Sequence, residues 1–364
     1  MTGFFPPQGL NQHIRGVSRS LPPQGLKVAA PPPPLTLKYI YATGAIADSF
    51  VVIDVEDPNN PVVLSSVSGT PLDNCQGGAR VEGLSDVDGN VAYAASLLQD
   101  CLTTVDASNK EAPSIIEYIS TAELDGAFCC FVSGNYAYVT AYYADRVTVI
   151  NVSDPARLAQ IGSVQDSTYL DSDMGIFTAD NYCYVCASAA DCFTVVDVSD
   201  PSTPSVYSSI TATSLDAASQ VYIGNYAFVT AYAADTLNVI DISDPSSPTV
   251  IGYVSSTTID GPKGDYGNEG YVYVTALAAD SFAVVDVSDP SNPTIVGSVS
   301  NTTLDQAHGC SAHENYGYAT AYYADTFNVI DISDPTNPTQ IASVTDTSLD
   351  GPGDSLLPLV FVGG

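Results

Sequence analysis

Two series of aspartates are the residues of this chain best suited to chemistry by type and spacing. The first series lies in short Ala-Asp or Gln-Asp pairs and consists of Asp48, Asp100, Asp145, Asp191, Asp235, Asp280 and Asp325. The second series directly follows Leu or Ile and consists of Asp73, Asp125, Asp171, Asp216, Asp260, Asp305 and Asp350. Carboxylate oxygens suit Ca²⁺, and many of them together attract a basic protein segment. The alternative is that each Asp only caps its own turn through its side chain.

The histidines and the remaining motifs do not indicate catalysis. The chain has three histidines, and two of them occur in His308-Gly-Cys-Ser-Ala-His313, a spacing that could resemble a metal motif. With only His13 besides, ordinary sequence variation is the simpler interpretation. The sequence has no Ser-His-Asp pattern, no Gly-rich phosphate loop and no His-Glu-x-x-His. We therefore expect a protein that is not an enzyme.

The overall charge excludes one class of partner. The chain of 364 residues has a formal net charge of −32, with 41 acidic and 9 basic residues. A nucleic-acid-binding protein needs clustered Lys and Arg, so nucleic acid is not an expected partner. No stretch approaches the roughly 20 apolar residues of a membrane span, and no signal peptide is visible at the start. The acidity and the low Lys content nevertheless favour an extracellular or cell-surface protein.

Internal repeats carry the aspartates. Five nearly superimposable segments, such as YAFVTAYAADTLNVIDISDP, begin at Tyr136, Tyr182, Tyr226, Tyr271 and Tyr316. A sixth segment begins at Tyr39, and a degenerate seventh begins at Val91. The first-series aspartates are spaced by 52, 45, 46, 44, 45 and 45 residues. A fixed period of this length indicates a propeller or a solenoid.

Each repeat is predicted to form four short strands. Tyr-x-Tyr-Val and Val-x-Val-Ile alternate with period two, and Ala-Asp forms the hairpin between them. Ser-Asp-Pro-x-x-Pro predicts a second turn, and two further strands follow before the next Tyr. Four strands in about 45 residues are typical of a propeller blade, and no segment resembles a solenoid cap. The prediction is an all-β, seven-bladed β-propeller with both aspartate series on one face.

The two ends of the chain are expected to close the ring. Blade one lacks an inner strand before Tyr39, and the segment 356–362 has no blade after it. We therefore expect residues 356–362 to complete blade one, which removes the open sheet edges of an incomplete ring. The propeller then spans residues 39–364, and residues 1–38 form a separate N-terminal arm.

The segments VTVINVSDP, FTVVDVSDP, LNVIDISDP, FAVVDVSDP and FNVIDISDP resemble the LVIVD repeat family. The resemblance covers roughly residues 39–364. It implies a propeller module of surface proteins and brings no catalytic residue set with it. Blade two departs most from the pattern, because Ala107-Ser-Asn-Lys110 stands where other blades have Val-Ser-Asp-Pro.

The cysteines and one sequon bear on the compartment. The 8 cysteines are an even number, as in disulfide-bonded extracellular proteins. Cys75 leads into blade two, whose hairpin carries Cys101, so these two form the predicted disulfide. Zinc is not expected, because Cys183-x-x-Cys186 has no matching second pair. Asn301-Thr-Thr lies in an inter-blade loop and is the predicted glycosylation site.

The N-terminal arm differs in charge from the rest of the chain. Residues 1–38 contain four of the 9 basic residues and no acid, and they carry Pro-Pro-Gln-Gly-Leu twice. Such a Pro-rich segment has extended polyproline character and cannot form a core. The residues expected to mediate docking of the arm are Phe4, Phe5, Arg15, Arg19 and Lys27.

These features predict a self-assembling extracellular structural protein whose partner is itself. The arm of one copy is expected to dock on the acidic propeller of the next, and a head-to-tail contact that does not close gives a filament or surface array. The alternative is a monomeric cell-surface adhesion module that binds a ligand or Ca²⁺ through its Asp-rich face. A hydrolase with a metal in the central channel is a third hypothesis, disfavoured because the inner strands show no converging ligand set.

Overall fold

The computed structural model describes residues 37–75, 77–78, 80–82, 90–268 and 270–356. The strands of its first part are β1 (Tyr39–Gly44), β2 (Ser49–Asp54), β3 (Val62–Ser68), β4 (Gly77–Gly78), β5 (Arg80–Glu82), β6 (Val91–Ser96), β7 (Cys101–Asp106), β8 (Ser114–Ser120), β9 (Ala127–Ser133), β10 (Tyr136–Ala141), β11 (Arg146–Asn151) and β12 (Ala159–Gln165).

The second part of the described chain continues the same pattern of short strands. These strands are β13 (Asp173–Ala179), β14 (Tyr182–Ala187), β15 (Cys192–Asp197), β16 (Ser205–Thr211), β17 (Ala218–Ile223), β18 (Ala227–Ala231), β19 (Thr236–Asp241), β20 (Thr249–Ser255), β21 (Pro262–Asn268), β22 (Tyr271–Ala276), β23 (Ser281–Asp286), β24 (Thr294–Ser300), β25 (Ala307–His313), β26 (Tyr316–Ala321), β27 (Thr326–Asp331), β28 (Thr339–Thr345) and β29 (Pro352–Leu356). Short 3-10 helices span Thr70–Leu72, Ala122–Leu124, Thr213–Leu215, Thr257–Ile259, Thr302–Leu304 and Thr347–Leu349.

The strands form seven sheets, and each sheet corresponds to one repeat. The order is β29-β1-β2-β3 in blade one, β4-β6-β7-β8 in blade two and β12-β11-β10-β9-β5 in blade three. Blades four to seven are β13–β16, β17–β20, β21–β24 and β25–β28, each in chain order. In blades two to seven the chain runs from an inner strand through a second and a third strand to an outer strand. The predicted all-β, seven-bladed propeller is confirmed.

β29 closes the ring, because it pairs antiparallel with β1 and so supplies the inner strand of blade one. The sequence placed this strand at 356–362, whereas the structure places it at Pro352–Leu356. The strand starts earlier because each inner strand follows its crossover directly, and β29 begins two residues after Asp350. Residues 357–364 lie outside the described residues.

The sequence did not predict β5. Residues Arg80–Glu82 pair in parallel with Phe131–Ser133 of β9, on the inner edge of the blade-three sheet. Because β9 is the inner strand of its blade, β5 lies towards the central channel. The feature of the sequence that could have indicated an extra strand is the 52-residue step from Asp48 to Asp100, which exceeds the usual step of 45.

Burial follows the position of a strand within its blade. In the second and third strands nearly every side chain is buried, as in β10 and β11, because neighbouring blades cover both faces of the sheet. This double coverage explains the nearly continuous apolar runs. The outer strands mix half-buried and exposed residues, as in β20. The core lies between adjacent blades, where Phe282 of blade six packs in one cluster with Leu304 and Ala319.

A threonine on the second strand ties several pairs of neighbouring blades together. The hydroxyls of Thr140, Thr230, Thr275 and Thr320 donate to the backbone carbonyls of Met174, Lys263, His308 and Gly353, respectively. Each acceptor lies on the inner strand of the next blade. The Thr320 contact joins blade seven to β29, so the same hydrogen bond also secures the closure of the ring.

The chain divides into two units between Thr36 and Leu37. Lys38 lies with the propeller, where its Nζ is 2.7 Å from Glu56 Oε2 and its carbonyl accepts a hydrogen bond from Val55 N. The arm predicted at residues 1–38 is therefore shortened to residues 1–36. The arm residues Phe4, Phe5, Arg15, Arg19 and Lys27 lie outside the described residues.

Candidate functional site

Both aspartate series lie on the same side of the propeller. The first series ends the hairpins between the second and third strands, and the second series ends the crossovers to the next blade. In every blade a backbone N–H of the crossover donates to the first-series carboxylate, at distances from 2.8 to 3.3 Å. We call this side, with its hairpins and crossovers, the crossover face. The two series are thus brought together in pairs, one pair per blade.

The backbone fixes the orientation of the first-series side chains. All seven residues have φ between 50° and 54°, in the left-handed region that Asp and Asn tolerate better than most residues. From this conformation the carboxylate turns back to the crossover of its own blade. In blade five, Asp235 Oδ1 accepts a hydrogen bond of 2.9 Å from Gly261 N. Each first-series side chain therefore holds a hairpin and a crossover together.

The second series acts through its main chain. The carbonyl of Asp260 accepts hydrogen bonds from Ala278 N and Ala279 N in the next blade, both at 3.1 Å. The carboxylates of the two series stand side by side, and the charge of Asp235 is the main cause that raises the pKa of Asp260. A raised pKa of this kind marks repulsion between two carboxylates.

In the blade-one pair, the raised pKa has a different main cause. Burial is the first cause that raises the pKa of Asp48, and the charge of Asp73 adds to it. The Asp73 carboxylate also accepts a hydrogen bond of 3.1 Å from Gln99 Nε2. In blade one, therefore, burial contributes more to the raised pKa than the neighbouring carboxylate does.

The geometry of these pairs is that of turn capping. Ca²⁺ takes about 6–8 oxygen ligands, whereas each blade offers two carboxylates, one of them engaged by a backbone N–H. Within the residues that the structure describes, no group of three or more His, Cys, Asp or Glu is placed to hold a metal. The capping interpretation, one of the two alternatives from the sequence, accounts for these contacts. The carboxylates also leave the crossover face strongly anionic.

A lysine lies at the end of the central channel on the crossover face. Lys263 Nζ is 3.8 Å from Met174 Sδ and 5.6 Å from the ring centroid of Phe128. The three residues are each the second residue of an inner strand, in blades six, four and three. Blades six and three are not neighbours, so these side chains meet across the channel. Sequence reasoning missed Lys263, although its rarity as a base within the acidic repeats was a usable signal.

His308 is the second residue of the next inner strand, β25. It is 6% exposed, and its ring centroid is 6.3 Å from that of Tyr322. Burial, with the charge of Lys263 as a second cause, lowers the pKa of His308 to about 3. The imidazole is therefore neutral at physiological pH. His313 ends the same strand, and neither histidine belongs to a metal cluster within the described part of the chain.

The predicted disulfide is not formed. Cys75 and Cys101 are both buried and free, and Cys101 Sγ lies 3.3 Å from the carbonyl of Pro71. Cys75 packs in the core between blades one and two, where a free cysteine behaves as a small apolar side chain. Burial raises the pKa of the Cys75 thiol well above its usual range. The pair therefore lends no support to an extracellular location, which rests on composition alone.

Asn301, the predicted glycosylation site, is exposed but engaged. It caps the 3-10 helix Thr302–Leu304, since its Oδ1 accepts from Thr303 N at 2.9 Å and from Thr303 Oγ1 at 2.7 Å. Its side-chain amide donates to Gln340 Oε1. Glycosylation of Asn301 would have to displace this contact. Asn301 as a glycosylation site stays a prediction.

The family model described as LVIVD repeat matches residues 130–166, 174–212, 217–256, 268–301 and 306–346. These segments cover blades three to seven and make up more than half of the chain. No curated protein is similar to the chain in sequence. Among the residues that the structure describes, no helix is long and apolar enough to cross a membrane.

Several solved structures share the fold. A functionally unknown protein from Desulfotomaculum acetoxidans has a TM-score of 0.70 at 11% identity, over 87% of this chain and 98% of its own. The periplasmic gluconolactonase of Pseudomonas aeruginosa has a TM-score of 0.73 at 12% identity, over 88% of this chain and 98% of its own. A protein from Lactobacillus plantarum has a TM-score of 0.69 at 13% identity, over 88% and 98%. At such low identity the likeness shows the fold alone.

Proposed function

We propose that this chain, which belongs to the LVIVD-repeat family, is an extracellular structural protein that assembles head to tail through its N-terminal arm. The observation that carries the proposal is the division of charge along the chain. Residues 1–36 hold three basic residues and no acid, whereas all 41 acidic residues lie in the remainder. Opposite charges of this size attract at long range and orient an encounter.

The closed propeller favours assembly through an added segment. The sheet of blade one is completed by β29, so the ring lacks no strand that another copy would have to supply. An arm that reaches from one copy to a different surface of the next makes a heterologous contact, which gives an open filament when it does not close. Thirty-four residues in polyproline II conformation extend roughly 100 Å, which is enough to reach a neighbouring propeller.

Deletion of residues 1–34 tests this function. We expect the truncated protein to keep the propeller fold, because every blade strand that the structure describes begins at Tyr39 or later. We expect it to lose the polymers that the full chain forms. Replacing Arg15, Arg19 and Lys27 with Gln should weaken assembly to a lesser degree, and added salt should do the same, since both reduce the charge attraction. Light scattering and electron microscopy measure these effects.

The alternative of a monomeric adhesion module has less support. Its binding site would be the aspartate pairs, and the first-series carboxylates already cap their own crossovers in all seven blades. Calcium titration of the full chain separates the two functions. A Ca²⁺-dependent rise in melting temperature, without polymers, would favour the adhesion module.

Hydrolysis of a sugar lactone is a second candidate function. A periplasmic gluconolactonase shares the fold, and Lys263 and His308 occupy neighbouring inner strands of this chain at one end of the channel. The test is incubation with δ-gluconolactone, followed by the release of acid. If the wild-type chain hydrolyses the lactone faster than the spontaneous rate and Lys263→Met abolishes this acceleration, an enzyme is favoured. Hydrolysis at the spontaneous rate by the wild-type chain is expected for a structural protein.

A further inference from the structure

An aromatic cleft opens between blades five and six, on the side opposite the crossover face. Its volume is about 480 Å³, within the range of roughly 300–1,000 Å³ that encloses a ligand. The rings of Tyr222, Tyr226, Phe228 and Tyr271 form its walls. Gly224 and the loop residue Pro290 also line the cleft. The three tyrosines are half-buried, so their rings are accessible to a partner.

The cleft arises from a shortened hairpin and a missing side chain. In blade five, Val221 pairs with Val229, whereas in blade three Cys130 pairs with Val139, so the inner hairpin of blade five is one residue shorter. In blade six, a Cβ on Gly267 would lie 2.5 Å from the Tyr222 ring. Glycine at this position therefore lets the Tyr222 ring extend towards blade six.

The chemistry of the cleft fits a proline-rich segment. Aromatic-lined grooves bind polyproline II helices, because proline rings pack on the aromatic faces and the helix is already ordered before binding. The stacked rings Tyr222 and Phe228, with centroids 6.5 Å apart, provide such a surface. This chain itself contains the motif Pro-Pro-Gln-Gly-Leu at residues 6–10 and 22–26.

The charges beside the cleft favour one of these two copies. The loop that supplies Pro290 to the cleft follows Asp286, the last residue of β23, and contains Asp289. Hydrogen bonds from the hydroxyl and the backbone of Ser288 lower the pKa of Asp286, so it stays charged at neutral pH. In the arm, Arg19 and Lys27 flank the second proline motif on both sides, whereas the first motif has no base adjacent to it.

We propose that the cleft between blades five and six binds the segment Arg19–Lys27 of a second copy as a polyproline II helix. The two prolines pack on the tyrosine rings, and the flanking bases face the carboxylates of the loop. This inference rests on the proposed function, because it names the acceptor surface for the arm. It adds to that function a single site per propeller, which makes the contact directional.

Two full-length variants separate the arm from its acceptor. Gly224→Leu fills the cleft: a Cβ there would lie 3.7 Å from Tyr222 and 3.8 Å from Phe228, in ordinary contact, so the side chain projects between the rings without a backbone clash. Gly224→Ala is the matched control, since it leaves most of the cleft open. The second variant replaces Pro22 and Pro23 with Gly and removes the polyproline preference of the arm.

Alone, each variant should need about tenfold more protein to assemble, because the central aromatic contact is lost. Mixed in equal amounts, at a concentration where neither variant assembles alone, they should form dimers and stop there. The proline variant offers an intact cleft and the Gly224→Leu variant an intact arm, so one contact forms and no further copy can add. Light scattering measures these masses. Melting temperatures close to wild type exclude misfolding, and Tyr226→Ala replaces Gly224→Leu if the latter does not fold.

A labelled peptide with the sequence of residues 19–27 keeps this inference distinct from the proposed function. The peptide should bind the proline variant in saturable fashion and should not bind a chain in which Gly224→Leu is added, whereas a peptide of scrambled sequence should bind neither. Peptide binding to the proline variant, together with a wild-type chain that forms no polymers, would overturn the assembly function and keep the cleft. Normal assembly of Gly224→Leu, or a mixture that stays monomeric, would overturn the cleft as the acceptor.

Discussion

The capping role of the first-series aspartates predicts opposite effects for two substitutions of Asp235. Asp235→Ala removes the acceptor of the 2.9 Å hydrogen bond from Gly261 N, whose net worth is about 1 kcal/mol. It also leaves alanine at φ 54°, which costs roughly another 1 kcal/mol. The expected loss is therefore about 2 kcal/mol in the free energy of unfolding. Asp235→Asn keeps both the acceptor oxygen and the tolerance of this backbone conformation.

The neighbouring carboxylate sets the pH dependence of this comparison. The charge of Asp235 is the main cause that raises the pKa of Asp260 above its value of 3.8 in an unfolded chain. Because the pKa of Asp260 is raised in the folded state, this residue contributes to stability below pH 3.8. That contribution is lost as pH rises through the folded pKa. Asp235→Asn removes this loss. The stability of Asp235→Asn relative to wild type should therefore be greater at pH 7 than near pH 4.

Urea denaturation at both pH values measures these differences as shifts in the unfolding midpoint. Equal destabilisation by Asn and Ala at pH 7 would refute the capping argument, because it would show that the charge itself is needed. A midpoint that rises with Ca²⁺ in wild type but not in Asp235→Asn would refute it in the same way and would place a cation at the pair.

Three further predictions follow from the fold. Deletion of residues 352–364 removes β29 and should cause aggregation or a loss of several kcal/mol, visible in thermal melts; an unchanged melt would contradict the closure of blade one. Thr275→Val leaves the buried carbonyl of His308 without its hydroxyl donor and should cost about 1–3 kcal/mol, whereas Thr275→Ser should restore most of it. The 8 buried cysteines should react slowly with an alkylating agent in the native state and completely after denaturation without a reducing agent. Fewer than 8 labelled thiols in the denatured protein would contradict the structure.

The number of blades could be predicted because the repeats are self-similar at a near-constant period. Turn chemistry in Ala-Asp and Ser-Asp-Pro fixed the strand boundaries locally, and the alternation of apolar residues identified the strands. The closing strand was placed too late, since the prediction aligned residues 356–362 with the strand that precedes Tyr in the other blades, whereas β29 begins at Pro352 and is fixed by pairing with β1. Backbone pairing of this kind leaves little trace in side-chain hydrophobicity.

The aspartate pairs could be predicted as neighbours, but not in their role. Recurrence of Asp48 and its six equivalents is a consequence of the repeat, and only the hydrogen bonds to the crossovers distinguish a cap from a ligand. The disulfide failed for a related reason. The predicted positions of Cys75 and Cys101, both next to blade two, suggested a bond between them. In the structure both side chains are buried as apolar core residues.

The cleft between blades five and six could not be predicted, although its cause is visible in the sequence. The 44-residue step from Asp191 to Asp235 is one residue shorter than the usual 45, and the structure places that deletion in the inner hairpin of blade five. A single missing residue carries no functional meaning by itself. The missing residue becomes informative only when the fold brings Gly267 of the next blade against the Tyr222 ring.

The most direct test of arm-mediated assembly is light scattering of the full chain beside the chain that lacks residues 1–34, with electron micrographs of both. The account predicts filaments or large polymers for the full chain and a folded monomer for the truncated chain. Identical polymers from the two proteins would contradict it, because the propeller would then assemble without its arm.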